Sequence, residues 1–196
     1  MEDVIISNKK NSFLDPVCWE WISIINRFCS EIEEEVPYYY NERSNVSIFA
    51  GALWRNNYLA MEEFGIEKGK RKKYTGRSDL WFQIGNTDYY CEAKFKFVSL
   101  ASKDIKSQIK SVMESAKKDV NKIDFKDNEK SISMVFICPH LSINNKDINS
   151  EIDSFLKIIK KIPADVKSWV FPQNRRDFIV DNKYYPGIVL LLSLNN

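Results

Sequence analysis

The chain of 196 residues contains a single histidine, His140, and four cysteines, Cys18, Cys29, Cys91 and Cys138, none in a CxxC pair. One imidazole and no paired thiols leave no ligand set for a zinc centre. His140, directly after Pro139 at the end of an apolar run, reads as a strand-end residue, and no nucleophile motif supports a triad built on it. Each cysteine lies in an apolar or aromatic neighbourhood and reads as a reduced core residue. Glycine and proline number only six each, and with 44% apolar and 29% charged residues this argues against a disordered or fibrous chain. No apolar run reaches the roughly 18 residues of a membrane-spanning helix. The opening MEDVIISNKK lacks the basic-then-apolar pattern of a signal peptide, so the expected location is the cytoplasm, with no membrane partner. An excess of one charge is missing too: 29 Lys and Arg stand against 27 Asp and Glu, a net +2, so any argument for nucleic acid has to come from local charge. Phosphate-cradling loops are absent. Gly69-Lys70 is followed by Arg71 and preceded five positions earlier by Phe64, and no GxGxxG occurs, which disfavours an NTPase or a dinucleotide enzyme.

What is present reads as α/β. Asp15-Pro16 opens an amphipathic helix, with Cys18, Ile22, Ile25, Cys29 and Ile32 at helical spacing until Pro37. A second helix is expected from Asn41 or Ser44 to about Phe64, its stripe formed by Val46, Phe49, Ala50, Leu53 and Trp54. EKGKRKKYTGR, 67–77, follows as a basic loop. SDLWFQI (78–84) and DYYCEAKFKF (88–97) alternate around Gly85-Asn86 and predict a β-hairpin. A helix over 102–123, a buried strand over 131–138, a helix over 147–162 and a buried strand over 187–194 complete the order. Residues 1–40 form an expected N-terminal helical extension packed on a core of 41–196, the whole being one compact domain.

Chemistry concentrates in the hairpin. On its second strand Cys91, Ala93, Phe95 and Phe97 share one face, and Glu92, Lys94 and Lys96 the other. If Gly85-Asn86 is a two-residue turn, Ile84 pairs with Thr87 and Asp79 falls opposite Glu92; a three-residue loop would place it opposite Ala93 instead. Facing carboxylates repel unless a cation lies between them, and oxygen-only ligation suits Mg²⁺. A lysine two residues along could orient or deprotonate a metal-bound water for phosphodiester hydrolysis. Five [DE]xK triplets occur in the chain, but only Glu92-Ala93-Lys94 combines a strand, an apolar opposite face and an acid-bearing partner strand.

These residues resemble the PD-(D/E)xK nuclease superfamily, with Ser78-Asp79, twelve intervening residues, then Glu92-Ala93-Lys94; Ser78 stands where the pattern has proline. The resemblance implies a restriction-endonuclease-like αβββαβ core, a central mixed sheet flanked by helices, here with an extra N-terminal helix. One strand of the core trio has no clear place in the sequence. It further implies that Asp79 and Glu92 hold Mg²⁺, with Mn²⁺ as a substitute, that Ala93 adds its backbone carbonyl, and that Lys94 assists the water. Glu42, four residues before Val46 and seven before Phe49, is the candidate extra acid if the helix starts at Asn41; Glu62 and Glu63 are the fallback. Gln108 falls where some members carry a functional glutamine, though a helix-surface position explains it as well.

DNA is the expected substrate. Lys68, Lys70, Arg71, Lys72, Lys73 and Arg77 lead into the Asp79 strand and could meet phosphates. Tyr38, Tyr39, Tyr40, Trp169, Phe171, Arg175 and Arg176 are weaker contact candidates. The expected activity is a Mg²⁺-dependent endodeoxyribonuclease. The competing expectation is a non-catalytic or partner-dependent binding module of the same fold in restriction, repair or phage defence, acting with a protein partner or as a homodimer.

Overall fold

The computed structural model describes residues 1–69, 73–123, 125–145 and 147–195. Strand β1 (Glu2–Ile6) and a short 3-10 turn lead to α1 (Asp15–Glu31) and α2 (Glu42–Arg55). Then follow β2 (Leu59–Lys68), β3 (Tyr74–Ile84), β4 (Thr87–Ser99), α3 (Ile105–Val120), β5 (Glu129–Ser142), α4 (Ile148–Ile159), β6 (Val166–Val170), β7 (Ile179–Val180), β8 (Lys183–Tyr184) and β9 (Ile188–Asn195). The sheet runs β1-β6-β9-β5-β4-β3-β2, and the β7–β8 hairpin attaches to the end of β5. Among the described strands only β4 and β5 pair in parallel, and α3 supplies the crossover that such a pair needs.

Helices cover both faces. α1 and α2 bury Trp21, Ile25, Phe49 and Leu53 against Leu80, Phe82, Cys91 and Phe136. On the other face α3 and α4 bury Ile109, Ala116, Phe155 and Ile159 against Val98, Val135, Ile137 and Leu191. β5 and β9, covered on both sides, are nearly continuous apolar runs, as the sequence suggests. All four cysteines are buried and free.

The second helix is shorter than its periodicity predicts. It stops at Arg55 because Asn57 takes a left-handed φ of 61°, and the Tyr58 N–H returns to the Leu53 carbonyl at 3.0 Å and the Asn57 N–H to Trp54 at 3.0 Å. That is the glycine-type helix stop with asparagine in glycine's place. Trp54, expected in the apolar stripe, is exposed. Residues 59–68, expected to finish the helix and open a basic loop, are instead strand β2. α1 ends at Glu31 rather than at Pro37, and Asp15 is its first residue rather than its cap. The N-terminal forty residues also contribute strand β1, which pairs with β6 at the sheet edge. Strands β6, β7 and β8 went unread in the sequence. Trp169 and Phe171, proposed as nucleic-acid contacts, are buried in the core, and so is Tyr38, whose hydroxyl donates to the Tyr185 carbonyl at 3.1 Å.

Gly187 leads into β9 where it crosses β6, and a Cβ there would stand 2.3 Å from the Val170 carbonyl oxygen and 2.6 Å from the Phe171 ring. Gly187→Ala should therefore cost about 1–3 kcal/mol of stability by overpacking, read from the urea midpoint at unchanged slope.

Candidate functional site

The hairpin register is that of a two-residue turn. Gly85 has φ 60°, and the ladder runs from Ile84↔Thr87 to Leu80↔Cys91. It ends there. Beyond Leu80 the two strands part, and β4, still paired with β5 on its other side, is left with unpaired backbone groups on the β3 side. Buried groups of this kind need partners, and side chains supply them. The fully buried Ser78 hydroxyl donates to the Cys91 carbonyl at 2.9 Å, the Ala93 N–H donates to Asp79 Oδ2 at 2.7 Å, and the Glu42 carboxylate lies by the Phe95 backbone, which helps to lower its carboxyl. Two side chains, Ser78 and Asp79, thus replace the missing strand at Cys91 and Ala93, and Glu42 lies beside the next alternate residue, Phe95.

Glu42 reaches that edge because α2 begins where the first of the two sequence alternatives puts it. Asn41 caps the helix, its side chain accepting from the Ser44 N–H at 3.0 Å while Ser44 Oγ accepts from the Asn41 N–H at 3.2 Å. This reciprocal box fixes Glu42 as the first helical residue.

Glu92 and Lys94 project from β4 toward α3. Lys94 Nζ pairs with Asp119 of α3 at 2.9 Å, and Lys122 pairs with the other Asp119 oxygen at 2.6 Å. Glu92, only 6% exposed at its side chain, meets Lys68 Nζ at 2.5 Å. Lys68 was expected in a basic loop meeting phosphates; it is the last residue of β2 and its side chain is 12% exposed. Its path depends on a local irregularity. The β2–β3 ladder passes from Glu62↔Leu80 to Phe64↔Ser78, skipping Glu63 and Asp79, and Glu63 is left-handed at φ 52°. A residue in that region rotates the side chains that follow onto the opposite face. Before it, Ala60 joins the α2-side core and Glu62 accepts from Ser47 of α2 at 2.8 Å. After it, Phe64 stacks on Trp81 and Lys68 points to Glu92. Gly76 leaves room for the crossing, since a Cβ there would lie 2.9 Å from Lys68 Cδ. The end of β2 is pinned as well: Lys68 bridges Ile123, and the Gly69 N–H donates to the Lys122 carbonyl at 2.7 Å.

The electrostatics follow from this crowding. Burial raises the Glu92 carboxyl above its ordinary value; the Lys68 hydrogen bond opposes the shift and Asp79 adds to it. Burial likewise raises Glu42, opposed by Lys94 and reinforced by Asp79. Burial works against the Lys94 charge, but the Asp119 hydrogen bond and the Glu42 carboxylate outweigh it and hold Lys94 above the usual lysine range. Asp119, despite its own burial, is held low by Lys122 and Lys94.

Sequence reasoning placed Glu42, Asp79, Glu92 and Lys94 within one site, and in the structure they surround one stretch of β4. It missed the pairing of Lys68, hidden in a run of basic residues, and it missed Asp119, one of two acids on α3. Glu62 and Glu63 lie in β2 rather than in a helix; with Glu42, Arg43, Val46 and Asp79 they line a small cleft of about 150 Å³. Arg77, expected to touch phosphate, pairs with Glu63 at 3.3 Å, and Lys73 pairs with Glu67 at 3.1 Å. Lys70, Arg71 and Lys72 lie outside the described residues. Gln108 binds Ser102 at 2.9 Å on α3, in keeping with a helix-surface role.

Among the described residues no three carboxylate, imidazole or thiol side chains are already gathered as an ion cage. The donors at the β4 edge are all oxygens: the Asp79, Glu92 and Glu42 carboxylates, and the Ala93 carbonyl, which leaves the strand on the same edge as the Ala93 N–H. Such a set fits a hard divalent cation. No helix of the described residues is long and apolar enough to cross a membrane. No protein-family description, no curated protein and no solved structure matches the chain.

Two outcomes follow. Lys68→Met leaves Glu92 buried without its partner and should cost about 3 kcal/mol at neutral pH, a loss that shrinks as acid protonates Glu92 and that Lys68→Met/Glu92→Gln largely recovers in urea unfolding. For Glu42 the folded pKa is raised, so its ionised form costs stability above the unfolded carboxyl value of 4.5 and costs nothing below it. Glu42→Gln should stabilise the protein at pH 7 by no more than about 1 kcal/mol, since Glu42 is half-exposed and screened by solvent, with the gain vanishing in urea melts near pH 4.

Proposed function

We propose that the protein is a Mg²⁺-dependent nuclease of the PD-(D/E)xK kind that hydrolyses DNA phosphodiester bonds. The observation that carries this reading is the convergence of Glu42, Asp79, Glu92 and Lys94 on the stretch of β4 that β3 vacates. The element order α2-β2-β3-β4-α3-β5 supports it, because it has the αβββαβ form of the restriction-endonuclease-like core, with β2 as the strand that the sequence left unplaced. α1 and β1 lie before that core.

In this reading Asp79, Glu92 and the Ala93 carbonyl hold Mg²⁺, with Mn²⁺ able to replace it and Glu42 completing the set. When bound, the ion supplies charge neutralisation at the scissile phosphate and a more acidic water. The chain's own residues do the rest. Lys94, kept protonated by Asp119 and Glu42, acts as a hydrogen-bond donor that orients the attacking water and counters charge on the phosphoryl oxygens, in preference to acting as a base. With Glu92 as a ligand, Lys68 would be released from its present pairing with that carboxylate, and its ammonium would be free to meet the phosphate backbone. Water attacks phosphorus through its oxygen and the P–O3′ bond breaks; one water proton ends on O3′ and the other stays on the new phosphate or passes to solvent, so the products carry a 5′-phosphate and a 3′-hydroxyl.

The Lys68–Glu92 and Lys94–Asp119 pairs also favour a second reading, a partner-dependent form in which a bound protein or DNA must first open these bridges. The deciding assay is strand breakage of circular, linear and single-stranded DNA. Cutting is expected with Mg²⁺ or Mn²⁺, none with EDTA, and a loss of about 10²-fold or more in Asp79→Asn and Lys94→Ala with unfolding curves close to wild type. Cutting that persists in both variants would overturn the assignment.

A further inference from the structure

Beside the acid and lysine cluster lies a cavity of about 390 Å³, within the ordinary range for small-ligand sites. Phe64, Tyr90 and Phe125 line it, together with the backbone of Gly65 and Gly69. The rings form a row. Trp81 and Phe64 are stacked, with centroids 5.1 Å apart and planes inclined at 20°; Phe64 and Tyr90 are 6.2 Å apart, and Tyr90 and Phe125 6.1 Å. All four rings are partly exposed. Among the described residues no helix covers them: α3 packs on β4 and β5, whereas the helix contacts of β2 and β3 come from α2 on the opposite face. An uncovered aromatic row costs solvation, so an occupant would gain by stacking on it.

Three features identify the occupant. Tyr90 lies two residues before Glu92 on the same face of β4, which puts the cavity about 7 Å along the strand from the cluster, one nucleotide's reach. Among the described residues at the rim, Glu67 and Glu129 offset Lys73 and Lys126, so the aromatic lining rather than a net charge is what would select an occupant. The lining carries three rings, with Phe64–Tyr90 and Tyr90–Phe125 inclined at 57° and 46° and Trp81 stacked behind Phe64, an aromatic wall of the kind on which unpaired bases stack.

We propose that this cavity is a nucleobase slot that receives one unstacked base of a single-stranded or locally opened DNA beside the phosphate held at the β4 edge. The proposal rests on the nuclease reading for the identity of its polymer, but its recognition chemistry is independent of cleavage. The slot therefore selects substrates by the presence of an extrudable base near the cut.

The test is fluorescence anisotropy in EDTA, with wild type and variants titrated against a single strand of about twelve nucleotides and against an abasic strand of equal length. Wild type should bind the base-bearing strand about tenfold more tightly than the abasic one, as one good aromatic stack implies. Phe64→Leu and Phe125→Leu, which keep apolar bulk, should lose most of that ratio with abasic affinity unchanged, and Phe125→Tyr should restore it. Equal wild-type affinity for the two strands, or Leu variants that keep the full ratio, would overturn the slot. Asp79→Asn should abolish cutting while leaving the ratio intact. A preserved ratio without any metal-dependent cutting would sink the nuclease reading alone, and cutting without a base preference would sink the slot alone.

Discussion

The site depends on one constraint: the backbone edge of β4 beyond Cys91 cannot be left bare inside the protein. A strand paired with β5 along its full length but abandoned by β3 after Leu80 must find other partners for its N–H and carbonyl groups. Ser78 and Asp79 supply them, with the Glu42 carboxylate alongside. A charged acceptor for a backbone N–H is worth roughly twice a neutral one, and this gain offsets part of the cost of drawing two carboxylates together. The acids gather there to satisfy the sheet, and the chemistry they can perform is built on that structural duty.

Lysines complete the balance. Four carboxylates, Glu42, Asp79, Glu92 and Asp119, are interleaved with Lys68, Lys94 and Lys122, each lysine bound to a named acid. Removing water from such an array is expensive, and the raised carboxyls of Glu42 and Glu92 show that pairing repays only part of it. Stability alone would favour a smaller or more apolar array here. Sites that keep such unfavourable charge are where function is ordinarily found.

The hairpin was legible in the sequence because every local signal agreed: strict alternation, a Gly-Asn turn and one apolar face. Its register is the expected one as far as Leu80 and Cys91, but the expected pairing of Asp79 with Glu92 does not form, because β3 leaves β4 there and Asp79 turns to the Ala93 N–H. The capping of α2 was legible in part, since Asn41 and Ser44 both looked like caps and the box uses both. β2 was hidden for a physical reason. Its alternation reverses at Glu63, so that Ala60 and Phe64, both even-numbered, face opposite sides, and a reversed period-2 pattern beside a helix reads as helical continuation. The Asn56-Asn57 pair that ends α2 was the one signal against that reading. Lys68 and Asp119 were beyond reach because their partners depend on this reversal and on the placement of α3, both of them long-range facts.

The reversal at Glu63 also ties the aromatic row to the charged cluster. A regular β2 would keep Phe64 on the α2 side with Ala60, and Lys68 with it, so that Glu92 would lose its cation and the row would lose its central ring together. One left-handed residue, of a type that seldom adopts that conformation and at a cost on the order of 1–3 kcal/mol, turns both side chains to the face that α3 leaves open. Because the strain is carried where Glu63 bonds to Arg43 and Arg77, at the rim of the cleft that Asp79 and Glu42 line, the cost falls where the chemistry needs it. The ring row and the ion pairs are thus two consequences of a single backbone irregularity, and a substitution that relaxes Glu63 has to dismantle both.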